Sequence, residues 1–110
     1  MKTLKFKKDL SDLILDWKKC TTWRLFDDKN ITEKDIGKIY SFLVSDTQEE
    51  FTKAKIIKVR ETIFGELTAE DWDGHEKFES EEEMYKTYSV YYGREVNKDS
   101  PVKIIKFKLI

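Results

Sequence analysis

Residues 18–24 read Lys18-Lys19-Cys20-Thr21-Thr22-Trp23-Arg24. Amine, hydroxyl and guanidinium groups gather here, where the chain otherwise only has to pass from one element to the next. Upstream, Leu10, Leu13, Ile14 and Trp17 fall at i, i+3, i+4 and i+7, the stripe of a helix packed on a core. Asp9 opens that helix and Lys18 and Lys19 end it, as the helix dipole favours. Downstream, the β-branched and aromatic residues of 21–26 predict an extended segment. Lys19 and Thr22 face opposite ways in an extended chain, so they converge only if the chain bends or Lys19 still belongs to the helix end. The cluster reads either as a site or as a basic helix end running into an edge strand.

Working outward, Leu4 and Phe6 alternate with Lys5 and Lys7 as a half-buried strand does. Asp27-Asp28-Lys29-Asn30 reads as a turn, and Thr32-Glu33-Lys34-Asp35 caps a helical turn before Gly37. Strands at 39–45 and 51–63 flank Asp46-Thr47-Gln48-Glu49, a hairpin. Ala54 and Ile56 point one way but Ile57 and Val59 take the opposite parity, and Val102 and Ile104 give way likewise to Ile105, Phe107 and Leu109. Such parity changes predict a bulge or a barrel corner in a small, strongly curved sheet. Thr68-Ala69-Glu70-Asp71 and Ser80-Glu81-Glu82-Glu83 mark two further helix starts, the second ending at Gly93. The expected class is α+β, one domain over residues 1–110, with about five or six strands and two or three helices.

Composition narrows the function classes. The chain has 110 residues, one proline and four glycines, with 39% charged residues and a net charge of −1. That balance hides an asymmetry: residues 66–83 hold nine acids and one lysine, leaving 20 basic and 13 acidic groups, a net of +7, on the other 92. A basic majority surface attracts phosphate, although a Lys-rich surface is also ordinary solvation. One cysteine excludes an internal disulfide, and no run approaches the ~18 apolar residues of a membrane span. With no secretory leader legible after Met1, a cytoplasmic protein without membrane contact is expected. One histidine and one cysteine make a conventional zinc site unexpected, and no cofactor is implied.

The helix followed by Lys19-Cys20-Thr21-Thr22-Trp23-Arg24 resembles the Lys-Thr-x-Thr-x-Arg signature of ASCH domains. The similarity continues through Ile56-Ile57-Lys58-Val59-Arg60, Phe64-Gly65-Glu66-Leu67, an acidic loop around His75, a helix ending in Tyr91-Tyr92-Gly93, and a terminal strand. The resemblance implies a PUA-like fold, a small mixed β-barrel flanked by helices. It also implies a partner, RNA or a nucleoside. Some small ASCH proteins are amidohydrolases that remove the acetyl group from N4-acetylcytidine, using a Lys, a Thr and a Glu. Carried onto this chain, these are Lys19, Thr22 and Glu79, the last preferred over Glu76 because it follows His75 by four positions. Cys20 stands where the family often has Thr.

Independently of the family, amide hydrolysis needs a nucleophile, a base and a donor for the oxyanion. Thr22 supplies the first, a desolvated Lys19 the second, and Glu79 a proton shuttle. Arg24, on the strand face of Thr22, suits a carbonyl or phosphate; it could equally pair with Asp27 or Asp28. Trp23 either lies over a nucleobase or fills the core, and Thr21 and Lys18 complete the binding set. Cys20 reads as a small packed residue, His75 as an exposed loop residue, and the Tyr85, Tyr88, Tyr91 and Tyr92 stripe as core.

Overall fold

The alternation of the first strand, β1 (Thr3–Phe6), survives intact: Leu4 and Phe6 are buried and Thr3 and Lys5 exposed. A computed structural model describes residues 2–25 and 31–110, so the turn expected at Asp27–Asn30 and the partners Asp27 and Asp28 expected for Arg24 lie outside the described residues. Helix α1 (Lys8–Leu15) buries Ser11 and Ile14, with Leu10 packed at the core's edge. Trp17 does not extend this stripe. Its backbone is left-handed (φ 64°), Lys18 N donates to Leu13 O at 2.9 Å and Trp17 N to Ile14 O at 3.0 Å, which closes the helix in a Schellman turn. That turn throws the Trp17 ring into solvent, 72% exposed.

The remaining strands are β2 (Thr21–Leu25), β3 (Ile39–Val44), β4 (Glu50–Ile63) and β5 (Pro101–Leu109). They form one five-stranded sheet in the order β1-β3-β4-β5-β2, antiparallel throughout except for the β1–β3 pair. The helical turn at Glu33–Asp35 carries the expected capping box from Thr32 to Asp35. Helix α2 (Ala69–Trp72) is capped by Thr68 and Asp71 in the same way, and helix α3 (Glu81–Tyr92) begins on Ser80 and ends at left-handed Gly93.

The parity changes have two different causes. In β4 the pairing with β5 shifts between Ile56 and Lys58, so Ile57 is the extra residue of a bulge. In β5 no residue is inserted; the strand is covered on both faces. Val102 and Ile104 feed a core with Trp23, Phe64, Met84 and Tyr88, while Ile105 and Phe107 feed one with Phe6, Ile14, Phe42 and Ile56. The expected barrel is therefore a correction: the sheet stays open, with β1 and β2 as its edges. Burying both faces of β5 accounts for the pattern that closure was invoked to explain. Between the two edges runs a side-chain bridge, Arg24 Nη2 donating to Lys5 O at 2.7 Å with the guanidinium 4.8 Å from the Phe6 ring centre. No helix among the described residues is long and apolar enough to cross a membrane.

Candidate functional site

The Schellman turn aims the chain back at the sheet, and the next residues are clamped from both sides. Cys20 N and Thr21 N donate to Gly74 O at 2.8 and 3.1 Å, and Phe107 N donates to Cys20 O at 3.0 Å. Lys19, just ahead of this clamp, is carried inward until it is 2% exposed. Its Nζ donates to Thr21 O at 2.8 Å and to Glu76 Oε2 at 2.6 Å. Burial lowers the Lys19 pKa below the usual lysine range, and the Glu76 carboxylate works against that shift.

Glu76 reaches Lys19 because of its own loop. Gly74 adopts φ 78°, and a β-carbon there would sit 2.2 Å from Cys20 Sγ, so only glycine lets the loop press this closely on β2. We expect Gly74→Ala to cost about 2–3 kcal/mol, combining the left-handed penalty with the clash. Adding Cys20→Ala should recover only the clash, leaving about 1–2 kcal/mol. Urea denaturation of the wild type and both variants measures this, and a neutral Gly74→Ala would show that the loop is not held here.

His75, expected in solvent, is instead buried. Its ring stacks on Trp23 with centroids 3.7 Å apart, and burial followed by the nearby Lys19 charge lowers its pKa to about 2, so it is neutral. Nδ1 lies 2.8 Å from Glu76 O, a carbonyl that can only accept, so Nδ1 carries the proton. Nε2 must then accept from the Tyr88 hydroxyl at 3.1 Å. His75 thus anchors the backbone of Glu76 rather than titrating. The signal for this was Gly74, whose closeness to β2 a single sequence does not disclose.

Thr22 and Arg24 share a sheet face, opposite Ile105 and Lys103, whereas Trp23 and Leu25 point to the other. Thr22 and Arg24 line a cleft of about 310 Å³ together with Lys19 and Glu76. Its remaining walls come from β1, the start of α1 and α3, including Lys5, Lys7, Leu10, Val90 and Tyr91. The Thr22 hydroxyl makes no hydrogen bond among the described residues, so it is available to a ligand.

Other expected residues fall elsewhere. Glu79 is exposed and does not line the cleft; the acid paired with Lys19 is Glu76. Helix α3 begins right after Ser80, which turns Glu79 away with the helix start. Lys18 is exposed outside the cleft. Thr21 is structural, its hydroxyl donating to Asp73 O at 2.6 Å and accepting from Lys106 Nζ at 3.1 Å. Trp23 is 2% exposed and reaches the cleft only as part of its wall. Tyr88 is core and, like the more exposed Tyr91 and Tyr92, also lines the cleft. Cys20 is exposed rather than packed away. No group of three or more metal-ligating side chains occurs among the described residues.

No protein-family model matches the chain, and no curated protein does. Solved structures do. The ASCH domain from Lactobacillus crispatus JV V101 superposes with a TM-score of 0.70 at 14% identity, over 98% of this chain and 79% of that one. A point mutant of the ASCH protein from Zymomonas mobilis gives 0.61 at 13% identity, over 98% and 73%. The hypothetical protein PH0355 gives 0.72 at 26% identity, over the full length of both chains. The chain has the ASCH-domain, PUA-like fold.

Proposed function

We propose that the cleft binds a pyrimidine nucleoside and hydrolyses an acyl group from its exocyclic amine, N4-acylcytidine being the substrate class. The observation that carries this reading is a buried lysine, ion-paired to Glu76, lining the same cleft as an unengaged Thr22 hydroxyl. Burial lowers the pKa of this amine, which brings it nearer to the role of a general base than a surface lysine is.

In this reading Thr22 Oγ1 attacks the acyl carbon while Lys19 takes the hydroxyl proton. The C–N bond then breaks, and the proton passes from Lys19, held by Glu76, to the departing N4 amine. Water hydrolyses the acyl-threonine, releasing the carboxylate and restoring the hydroxyl. Arg24, which lines the same cleft, is the donor assigned to the oxyanion. The choice of chemistry follows the ASCH resemblance of the Lys19–Arg24 segment, and the exposed unpaired Cys20 fits a reducing, cytoplasmic setting.

Incubating the protein with N4-acetylcytidine should release cytidine, and Thr22→Ala should lower kcat by a factor of at least about 10². Absence of turnover at high protein concentration, with nucleoside binding retained and Thr22→Ala binding equally well, would convert the site into a non-catalytic nucleoside or RNA module.

A further inference from the structure

We infer that the cleft takes its nucleoside as a 5′-phosphate, read by a cationic rim made of Lys5, Lys7 and Arg24; this rests on the cleft being a nucleoside site. Four cationic side chains line the cleft against the single carboxylate of Glu76, and that carboxylate is already paired with Lys19 deep inside. The other three are more open to solvent, Lys5 and Lys7 being exposed and Arg24 half-buried. Among the described residues none of them is ion-paired: Lys7 Nζ rests 4.2 Å from the Tyr91 ring centre, and Arg24 spends one N–H on Lys5 O.

Their placement follows from the open sheet. Lys5 and Lys7 alternate along β1 and its extended continuation (Lys7 φ −64°, ψ 155°), so both side chains leave the same face, about 7 Å apart along the strand. The Arg24 bridge brings the guanidinium of the opposite edge to the same spot. A structural reading of the bridge needs only one of the five guanidinium N–H groups. It leaves two lysines and most of a planar fork around a gap between two edge strands.

Apolar and aromatic side chains also line the cleft, among them Phe6, Leu10, Val90 and Tyr91. They suit the flat face of a base, which leaves its charged end to the three cations. A phosphomonoester carries about −1.5 to −2 charge at pH 7, more than the single charge of a phosphodiester, so a mononucleotide complements three clustered cations best. The volume of about 310 Å³ is at the small end for ligand pockets, which also favours one nucleotide over a strand.

The test is calorimetric titration of the full chain with cytidine, 5′-CMP, inorganic phosphate and the trinucleotide rCpCpC at 50 and 300 mM salt. We expect 5′-CMP to bind about tenfold more tightly than cytidine at low salt. The gap should narrow at 300 mM and close in Lys5→Ala/Lys7→Ala, where the ratio of 5′-CMP to cytidine affinity, rather than either affinity alone, is the readout. Inorganic phosphate should compete with 5′-CMP and leave cytidine binding alone. Equal affinity for cytidine and 5′-CMP overturns the rim while leaving the nucleoside cleft standing. Tighter binding of rCpCpC than of 5′-CMP overturns it in favour of a polynucleotide. Binding of none of them removes both the rim and the cleft assignment.

Discussion

Glu76→Gln is expected to lower turnover of an N4-acylcytidine by about 10²–10³-fold, with Glu79→Gln within a factor of two of wild type. The asymmetry follows from geometry: Glu76 Oε2 is 2.6 Å from Lys19 Nζ, whereas Glu79 is exposed and away from the cleft. The same substitution also reports on stability. Lys19 is buried with Glu76 as its one counter-charge, and removing one partner of a buried pair costs about 3–5 kcal/mol. Because Glu76 itself is 18% exposed and glutamine keeps an acceptor, about 2–3 kcal/mol is the better expectation here.

The pH dependence has a definite sign. Burial lowers the folded pKa of Lys19, so the unfolded chain binds the extra proton over the window between that value and the usual ~10.4. Lys19 therefore costs stability at neutral pH, and the cost fades as pH rises through the window. Losing the Glu76 charge lowers the folded pKa further, so the deficit of Glu76→Gln should be larger at pH 7 than at pH 10. Urea titrations at both values decide it. A deficit unchanged at pH 10 would mean that the ion pair is not its source.

The elements whose logic is local were legible in the sequence. The α1 stripe, the hairpin of β3 and β4, the capping boxes at Thr32 and Thr68, the Ser80 cap and the bulge at Ile57 each depend on residues within a few positions of one another, and each is present; the full capping box expected at Ser80 is not formed. Trp17 shows where periodicity alone ends, since a left-handed backbone at the helix terminus removed the last member of an intact i+7 pattern. Closure of the sheet was misjudged for a comparable reason. A strand covered on both faces and a strand turning a barrel corner leave the same apolar sequence, and only the pairing order separates them.

The site divides along the same line. Lys19, Thr22 and Arg24 belong to one segment and were found together; Glu76 lies 57 residues from Lys19 and reaches it through the left-handed Gly74, the stacked His75 and the clamp on Cys20 and Thr21. The resemblance pointed to Glu79, four positions after a histidine assumed to lie exposed in its loop, whereas the geometry pairs Glu76 with Lys19. The buried histidine reverses that assumption, and its fixed tautomer makes the Glu76 backbone a rigid point.

Asp71→Ala should prove nearly as damaging, although Asp71 lies outside the cleft. Its carboxylate, 1% exposed, receives Arg60 Nε at 3.0 Å and Nη2 at 2.5 Å, and caps α2 by accepting from Thr68 N at 2.9 Å. Its carbonyl accepts from Trp23 Nε1 at 3.1 Å, on the ring that stacks on His75. Burial works to raise the carboxyl pKa, but the Arg60 and Thr68 hydrogen bonds outweigh it and hold the pKa below the usual range. A fork this closely matched sits at the strong end of charge-assisted bonding. Arg60 is 33% exposed and can turn to water once its partner is gone, which lowers the expected cost to about 2–3 kcal/mol. A depressed carboxylate contributes stability above its unfolded pKa of ~3.9 and loses it as pH falls through the folded value. The gap between wild type and Asp71→Ala should accordingly be wide at pH 7 and narrow below pH ~4. A pH-independent gap would assign the loss to packing instead. Because α2 leads straight into the loop carrying His75 and Glu76, the variant should also lose turnover while keeping Lys19 and Thr22 in place.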